Sequence, residues 1–328
     1  MALIPLRICS TGKALPSRRV AAGLIDVAQG FKPGYTFDKG GVRERYFAAA
    51  DETQSQLAAC ALRDALDNGG LSDDSIDCLI SASGVSEQAL PSTACAVAAA
   101  AGLPAGLPAF DVGASCLSFL MALQVAAGLL ATGTYRRIAI VASDLASRGV
   151  DWSEPEASLI FGDGAACAIV ESGTGRTGIE AFSFQTYTEG RTFCEIRAGG
   201  TLRNPRTGIT DKDFLFRMDG KAVFKLASRL MPDFLSRLEA QAGCRIADIN
   251  TVVPHQASHL GMAHLTKRLG LPKERIVNIY ETHGNQVAAS IPTALHEAYI
   301  TGRIESGQRV LLIGTAAGLS IGAMVLRV

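Results

Sequence analysis

The sequence is poor in aromatics: only 6% of its 328 residues are Phe, Tyr or Trp, with a single tryptophan. It also lacks an excess of either charge, because 31 Lys plus Arg meet 31 Asp plus Glu. That balance gives no electrostatic footprint for nucleic acid or for an anionic membrane surface. Charge blocks are absent, and 48% hydrophobic residues exclude disorder as the main state. The eight cysteines (9, 60, 78, 95, 116, 167, 194 and 244) include no C-x-x-C pair. Zinc-ribbon spacing is therefore missing, a disulfide scaffold is not expected, and most cysteines read as small buried hydrophobes. The apolar run within Met1 to Ser10 is too short for a signal peptide, so the reducing cytoplasm is the expected compartment.

What is present is a core and a repeated pattern. The length suits two domains or one large one, and 34 glycines with many alanines suit helices packed closely on strands. Short β-branched runs predict strands at Ile4–Cys9, Cys78–Ser83, Ala109–Ala114, Arg137–Ser143 and Ala166–Glu171. A second set follows at Ile179–Gln185, Thr251–His255, Arg275–Tyr280, Val310–Gly314 and Ile321–Val328. Helices are expected at Thr53–Asn68, Thr93–Ala101 and Cys116–Thr132, then at Gly220–Ala242, Ser258–Leu269 and Val287–Thr301.

The two sets run in the same order. Arg137–Ser143 aligns with Arg309–Thr315 at an offset of 172, and Asp77–Ile80 with Asn250–Val253 at 173. A shared offset over several elements marks an internal duplication, here with halves 1–173 and 174–328. Alternating strands and helices call for mostly parallel sheets with helices on their faces, an α/β class. Between Asp111 and Arg136 no residue is charged, so by length this run imitates a membrane span. No second such run accompanies it. It is expected instead as a helix shared between two sheets.

Two motifs fail on context. Gly173-Thr174-Gly175-Arg176-Thr177-Gly178 matches the dinucleotide fingerprint, but a strand follows it where a helix N-terminus is required. His255 and His259 have metal-ligand spacing, but Gln256 stands where the hydrolytic zinc motif needs Glu, and His255 ends a strand. No metal and no cofactor are expected.

The chemical signal is Ala109-Phe110-Asp111-Val112-Gly113-Ala114-Ser115-Cys116, a strand running through small residues into a helix that a cysteine opens. Unpaired N–H groups and the helix dipole favour a thiolate there, burial opposes it, and a nearby base must tip the balance. His255 at the carboxyl end of one strand and Asn285 in a Gly-containing turn are the partners offered by the second half. Sites in open α/β sheets form outside the carboxyl ends of strands. The Asn285 turn is expected roughly where Cys116 sits in the first half, so that pseudo-twofold symmetry brings all three to one cleft.

These residues resemble the 3-oxoacyl-acyl-carrier-protein synthase III family, of the thiolase fold. The resemblance covers essentially the whole chain. It is carried by Gly41-Val42-Arg43-Glu44-Arg45, Pro91-Ser92-Thr93-Ala94-Cys95, the Cys116 strand–helix and Phe161-Gly162-Asp163-Gly164-Ala165. Met218-Asp219-Gly220, Val253-Pro254-His255-Gln256-Ala257, Gly284-Asn285 and Ala316-Ala317-Gly318-Leu319-Ser320 continue it. The resemblance implies two βαβαβαββ halves in a five-layer αβαβα sandwich and a homodimer joined near Ala109–Ala114. It implies that Cys116 takes an acyl group from an acyl-CoA or acyl-carrier thioester, with the backbone N–H groups of Cys116 and Ala317 as oxyanion hole. Malonyl-acyl-carrier protein then loses CO2, and its enolate, held by His255 and Asn285, attacks the acyl group. The runner-up is an acyltransferase on the same scaffold that passes the acyl group to an oxygen, nitrogen or sulfur nucleophile. Relatives in polyketide, quinolone or olefin pathways are further options.

The remaining positions depart from the family. Ala316-Ala317 replace two glycines. Tyr35 and Pro155 stand where a tryptophan and an arginine sandwich the CoA adenine. The acyl and pantetheine pocket is expected to include Leu90, Phe161, Gly220 and Thr315. Thr315 replaces an aromatic gate, and Leu90 replaces a phenylalanine that a partner subunit inserts. These changes leave two readings of the primer: longer than acetyl, or delivered by a protein. Lys225, Lys267 and Arg268 match the carrier-docking surface, with ordinary solvated helix charge as the plain alternative. Leu260 stands where that surface commonly has an arginine.

Overall fold

The computed structural model describes residues 3–328. Two five-stranded sheets form its frame. The first has the order Arg7–Ala14, Gly164–Glu171, Arg137–Asp144, Cys78–Ser81, Ala109–Asp111. The second has the order Ile4–Pro5, Gly178–Thr186, Ser320–Arg327, Arg309–Ala316, Thr251–Pro254. Strands joined through helices pair in parallel, as Cys78–Ser81 does with both neighbours and Thr251–Pro254 with Arg309–Ala316. The hairpin strands that close each half pair antiparallel. The central strands are covered on both faces, which is why Ile138 to Ala142 is an unbroken apolar run with no polar alternation.

Helices make three further layers. Leu57, Leu62 and Leu66 of Gln54–Gly69 and Val97 of Thr93–Ala101 pack on the outer face of the first sheet. Phe234 and Leu238 of Gly220–Ala242 and Met262 of His259–Leu269 cover the outer face of the second. Ser118–Ala131 and Ser290–Ile300 lie between the sheets. The result is the αβαβα sandwich the family resemblance implies. The uncharged helix sits in its middle layer with Phe119, Leu120 and Leu123 fully buried, each contributing about 1.5–3 kcal/mol. Among the described residues no helix is long and apolar enough to cross a membrane.

The duplication is visible in coordinates. Strands Arg137–Asp144 and Arg309–Ala316 begin and end 172 residues apart. So do the 3-10 turns Ser115–Leu117 and Val287–Ala289 that lead into the two central helices. The turn containing Gly173 joins strands Gly164–Glu171 and Gly178–Thr186, with no helix after it. Ile4 pairs with Ile179, so the start of the chain crosses into the second sheet.

Three expectations need correction. Arg275–Tyr280 is not a strand: only Ile276 bridges Val252, and Tyr280 instead opens a short helix, its hydroxyl donating to Gly40 O at 2.8 Å. The edge strand that Ala109–Asp111 supplies in the first half thus shrinks to one bridge in the second. Most cysteines are not buried either. Only Cys78 and Cys167 are, while Cys60 and Cys95 are exposed on helices whose other faces pack on the sheet. Finally, the 172-residue offset makes Ala288, not Asn285, the counterpart of Cys116.

Candidate active site

One cavity of about 1870 Å³ is lined from both halves, and Cys116, His255 and Asn285 all reach it. Cys116 follows Ser115, whose φ of +51° is left-handed and uncommon for a residue with a side chain. The bend is clamped by Ser118, whose Oγ accepts from Ala114 N at 2.8 Å and donates to Ser115 O at 2.7 Å. The backbone N–H groups of Ala317 and of Cys116 itself face the sulfur. Burial nevertheless dominates, and with smaller contributions from Asp144 and Cys194 it pushes the Cys116 thiol up to about 12. The resting Cys116 side chain is a thiol, so the dipole that favours thiolate loses to desolvation here.

His255 directly follows strand Thr251–Pro254, and its N–H donates to Ile313 O on the neighbouring strand at 2.8 Å. Burial depresses the imidazole to about 4, which keeps it neutral, and Nδ1 is buried with no partner among the described residues. The loop behind it is held by Gln256, whose Nε2 donates to Pro254 O and Val277 O while Oε1 accepts from Ile279 N.

Asn285 is gripped at backbone and side chain. Its N–H donates to Ile160 O at 2.8 Å and its C=O accepts from Gly162 N at 3.1 Å. Oδ1 accepts from Val287 N at 2.8 Å, and Nδ2 donates to Ala257 O at 3.1 Å. That leaves one amide hydrogen for a ligand. The approach is so close that a Cβ at Gly162 would stand 2.1 Å from His283 O. Arg45, fully buried, steadies the same segment by donating to Phe161 O at 3.0 Å.

The cavity wall also includes Ala317, Phe161, Gly220, Thr315, Tyr35 and Pro155. Ala316 and Ala317 are not at positive φ, so side chains are tolerated there; Gly318, at +125°, takes the special conformation. Leu90 does not line this chain's cavity and is 85% exposed, although Ala89 beside it does. Of the three basic residues expected at a docking surface, Arg268 lines the cavity, whereas Lys225 and Lys267 are exposed outside it. Lys39, Arg191 and Lys221 also line it. Sequence reasoning passed over them, and over Ser118 and Asp144. A serine following each turn, Ser118 and Ser290 at the same 172-residue offset, was the available signal.

Residues 110–190 match the family model for 3-oxoacyl-[acyl-carrier-protein] synthase III, and residues 240–328 match the model for the C-terminal part of that enzyme. The beta-ketoacyl-[acyl-carrier-protein] synthase III of Methylococcus capsulatus is 33% identical over 323 residues, 98% of each chain. The chain belongs to the 3-oxoacyl-acyl-carrier-protein synthase III family. Another member of this synthase III family, from Streptomyces coelicolor, is 35% identical over 96% of this chain and 95% of its own. Among solved structures, the synthase III from Aquifex aeolicus superposes with a TM-score of 0.88 at 28% identity, over 98% of this chain and 100% of that one.

Proposed function

We propose that the protein is a condensing enzyme that joins an acyl primer to a malonyl unit carried by an acyl carrier protein. The reading is carried by one observation: Cys116, with two backbone N–H groups facing its sulfur, shares a cavity with a neutral imidazole and a carboxamide.

In the first stage the Cys116 thiol gives up its proton and attacks the primer thioester. The tetrahedral oxyanion is met by the N–H groups of Cys116 and Ala317, each such donor contributing roughly 3 to 4 kcal/mol. The C–S bond to the donor breaks, and its thiolate leaves with the proton. In the second stage the malonyl C–C bond breaks and CO2 departs. The electron pair left behind forms an enolate, whose oxygen His255 and Asn285 stabilise as donors. The enolate carbon attacks the acyl-Cys116 carbonyl, the thiolate is expelled and takes a proton from solvent, and a 3-oxoacyl thioester remains on the carrier. Retention of Asn285 beside His255 favours condensation over simple acyl transfer, which has no enolate to stabilise.

Lys225, Lys267 and Arg268 contribute to carrier docking, and Tyr35 and Pro155 flank the donor's outer end. The protein acts in the cytoplasm as a homodimer, for which Ala109–Asp111 offers a free edge as the outermost strand of its sheet. Leu90 reaches the partner's acyl pocket. Mass spectrometry after incubation with acyl-CoAs of increasing length, with and without malonyl carrier, tests the reading. An acyl adduct on Cys116 that malonyl carrier converts to a 3-oxoacyl product is expected. An adduct discharged only to another nucleophile would make the protein an acyltransferase, and no adduct would exclude both.

A further inference from the structure

Asp144, the last residue of strand Arg137–Asp144, is 1% exposed and has no cationic partner among the described residues. Its carboxylate is satisfied by main chain alone. Gly84 N donates to both oxygens at 2.9 and 3.1 Å, Val85 N to Oδ1 at 3.1 Å, and Ala288 N to Oδ2 at 3.1 Å. A buried charge held this way is costly to form, so its position calls for an explanation.

The 172-residue offset supplies one. Asp144 corresponds to Ala316, and Ala288 corresponds to Cys116. At Cys116, its own N–H and that of Ala317, the residue after Ala316 in the second half, converge on the sulfur. In the second half, the N–H of Ala288 converges with those of Gly84 and Val85 on the Asp144 carboxylate. The symmetry-related turn thus aims the Ala288 N–H at an internal carboxyl group, which burial pushes up to about 7.

We infer that Asp144 is a positioning residue for the carbon–carbon step: by accepting from Ala288 N it fixes the turn that presents Asn285. Ala288 lies three residues beyond Asn285, and the intervening Val287 N–H holds Asn285 Oδ1 at 2.8 Å. The other anchors, Gly84 and Val85, line the cavity, and Val287 packs so tightly on Gly84 that a Cβ there would stand 2.4 Å from Val287 Cγ1. One carboxylate thus ties the first half's cavity wall to the Asn285 turn. Its charge also makes the Cys116 thiol harder to ionise.

The inference rests on the reaction assigned above, and the two steps separate them. At pH 8, Asp144→Asn and Asp144→Ala are compared with the wild-type protein for loading of Cys116 by acyl-CoA and for malonyl decarboxylation by the loaded enzyme. Loading is expected to be unchanged or faster, and decarboxylation to fall by about 10²-fold, the scale of a small misplacement of a catalytic group. Asp144→Ala vacates a pocket of converging N–H groups, so formate should restore much of its decarboxylation, while chloride at equal ionic strength should not. Asp144→Asn, whose pocket stays filled, should not respond. Equal loss of both steps, unchanged decarboxylation, no rescue of a folded Asp144→Ala, or failure of both variants to fold would overturn the inference. If the wild-type protein neither loads nor decarboxylates, the reaction assignment falls and this inference falls with it.

Discussion

Gly314 leaves the space that His255 fills: a Cβ on that glycine would stand 2.6 Å from His255 Cβ and 3.0 Å from Leu117 Cδ2. Gly314→Ala should therefore push the imidazole out of place and press on the residue after the nucleophile. A stability loss of about 1–3 kcal/mol by denaturant titration is expected. Condensation by the folded variant should drop about 10²-fold, read as product formed per loaded Cys116. Wild-type turnover would show that His255 is not held by this contact.

The Cys116 thiol, raised to about 12, should titrate late. Its alkylation by iodoacetamide is expected to climb about tenfold per pH unit from 7 to 10 without levelling, since only thiolate reacts. A plateau below pH 8 would mean a resting thiolate and would contradict the burial argument.

His255 titrates near 4 in the folded protein and near 6.5 when unfolded, with burial as the cause. As pH falls through 6.5 the unfolded chain takes a proton that the folded one refuses until about 4. The stability contribution is therefore present above pH 6.5 and lost on the way down to about 4. His283 and His296 are lowered by burial too and act in the same sense. His255→Gln should flatten the fall in melting temperature between pH 7 and 5.

Asn285→Asp keeps the shape and replaces the donor. The new oxygen would face Ala257 O, which now accepts from Nδ2 at 3.1 Å, and it offers nothing to an enolate. Decarboxylation should fall far more than Cys116 loading, in single-turnover assays of each. Matching losses would remove Asn285 from the second stage.

Charge reversal should separate the docking candidates. Arg268→Glu alters the cavity wall and Lys267→Glu an exposed neighbour, so both should raise the apparent KM for carrier-bound malonyl, Arg268→Glu the more. An unchanged KM in the double variant would leave them as ordinary solvated charge.

The layered fold was legible in the sequence because each sheet is covered on both faces, so strands such as Arg137–Asp144 hold continuous apolar runs, here Ile138 to Ala142. The helices Thr93–Ala101 and Gly220–Ala242 were readable to the residue, since each ends at a left-handed glycine, Gly102 and Gly243. What escaped is local and irregular. The hairpin of Arg18–Ala21 with Glu44–Phe47 and the helix Ala22–Gln29 gave no periodic signal, because Leu24 and Val27 are exposed and Asp26 is buried. Asp26 is buried because it accepts from Gly34 N and Thr36 N, a partnership that spacing does not announce. At the site, Cys116, His255 and Asn285 were visible through strand ends and small-residue turns. Asp144 was not: it closes an apolar strand, and its partners are main-chain groups of Gly84, Val85 and Ala288, which carry no side-chain signature.

Val287 adopts φ +52°, a strained choice for a β-branched residue and close to that of Ser115. The bend it makes delivers only the methyl group of Ala288 where its twin delivers sulfur. The same contorted backbone thus presents sulfur in one half and, in the other, braces a carboxamide through the Val287 N–H.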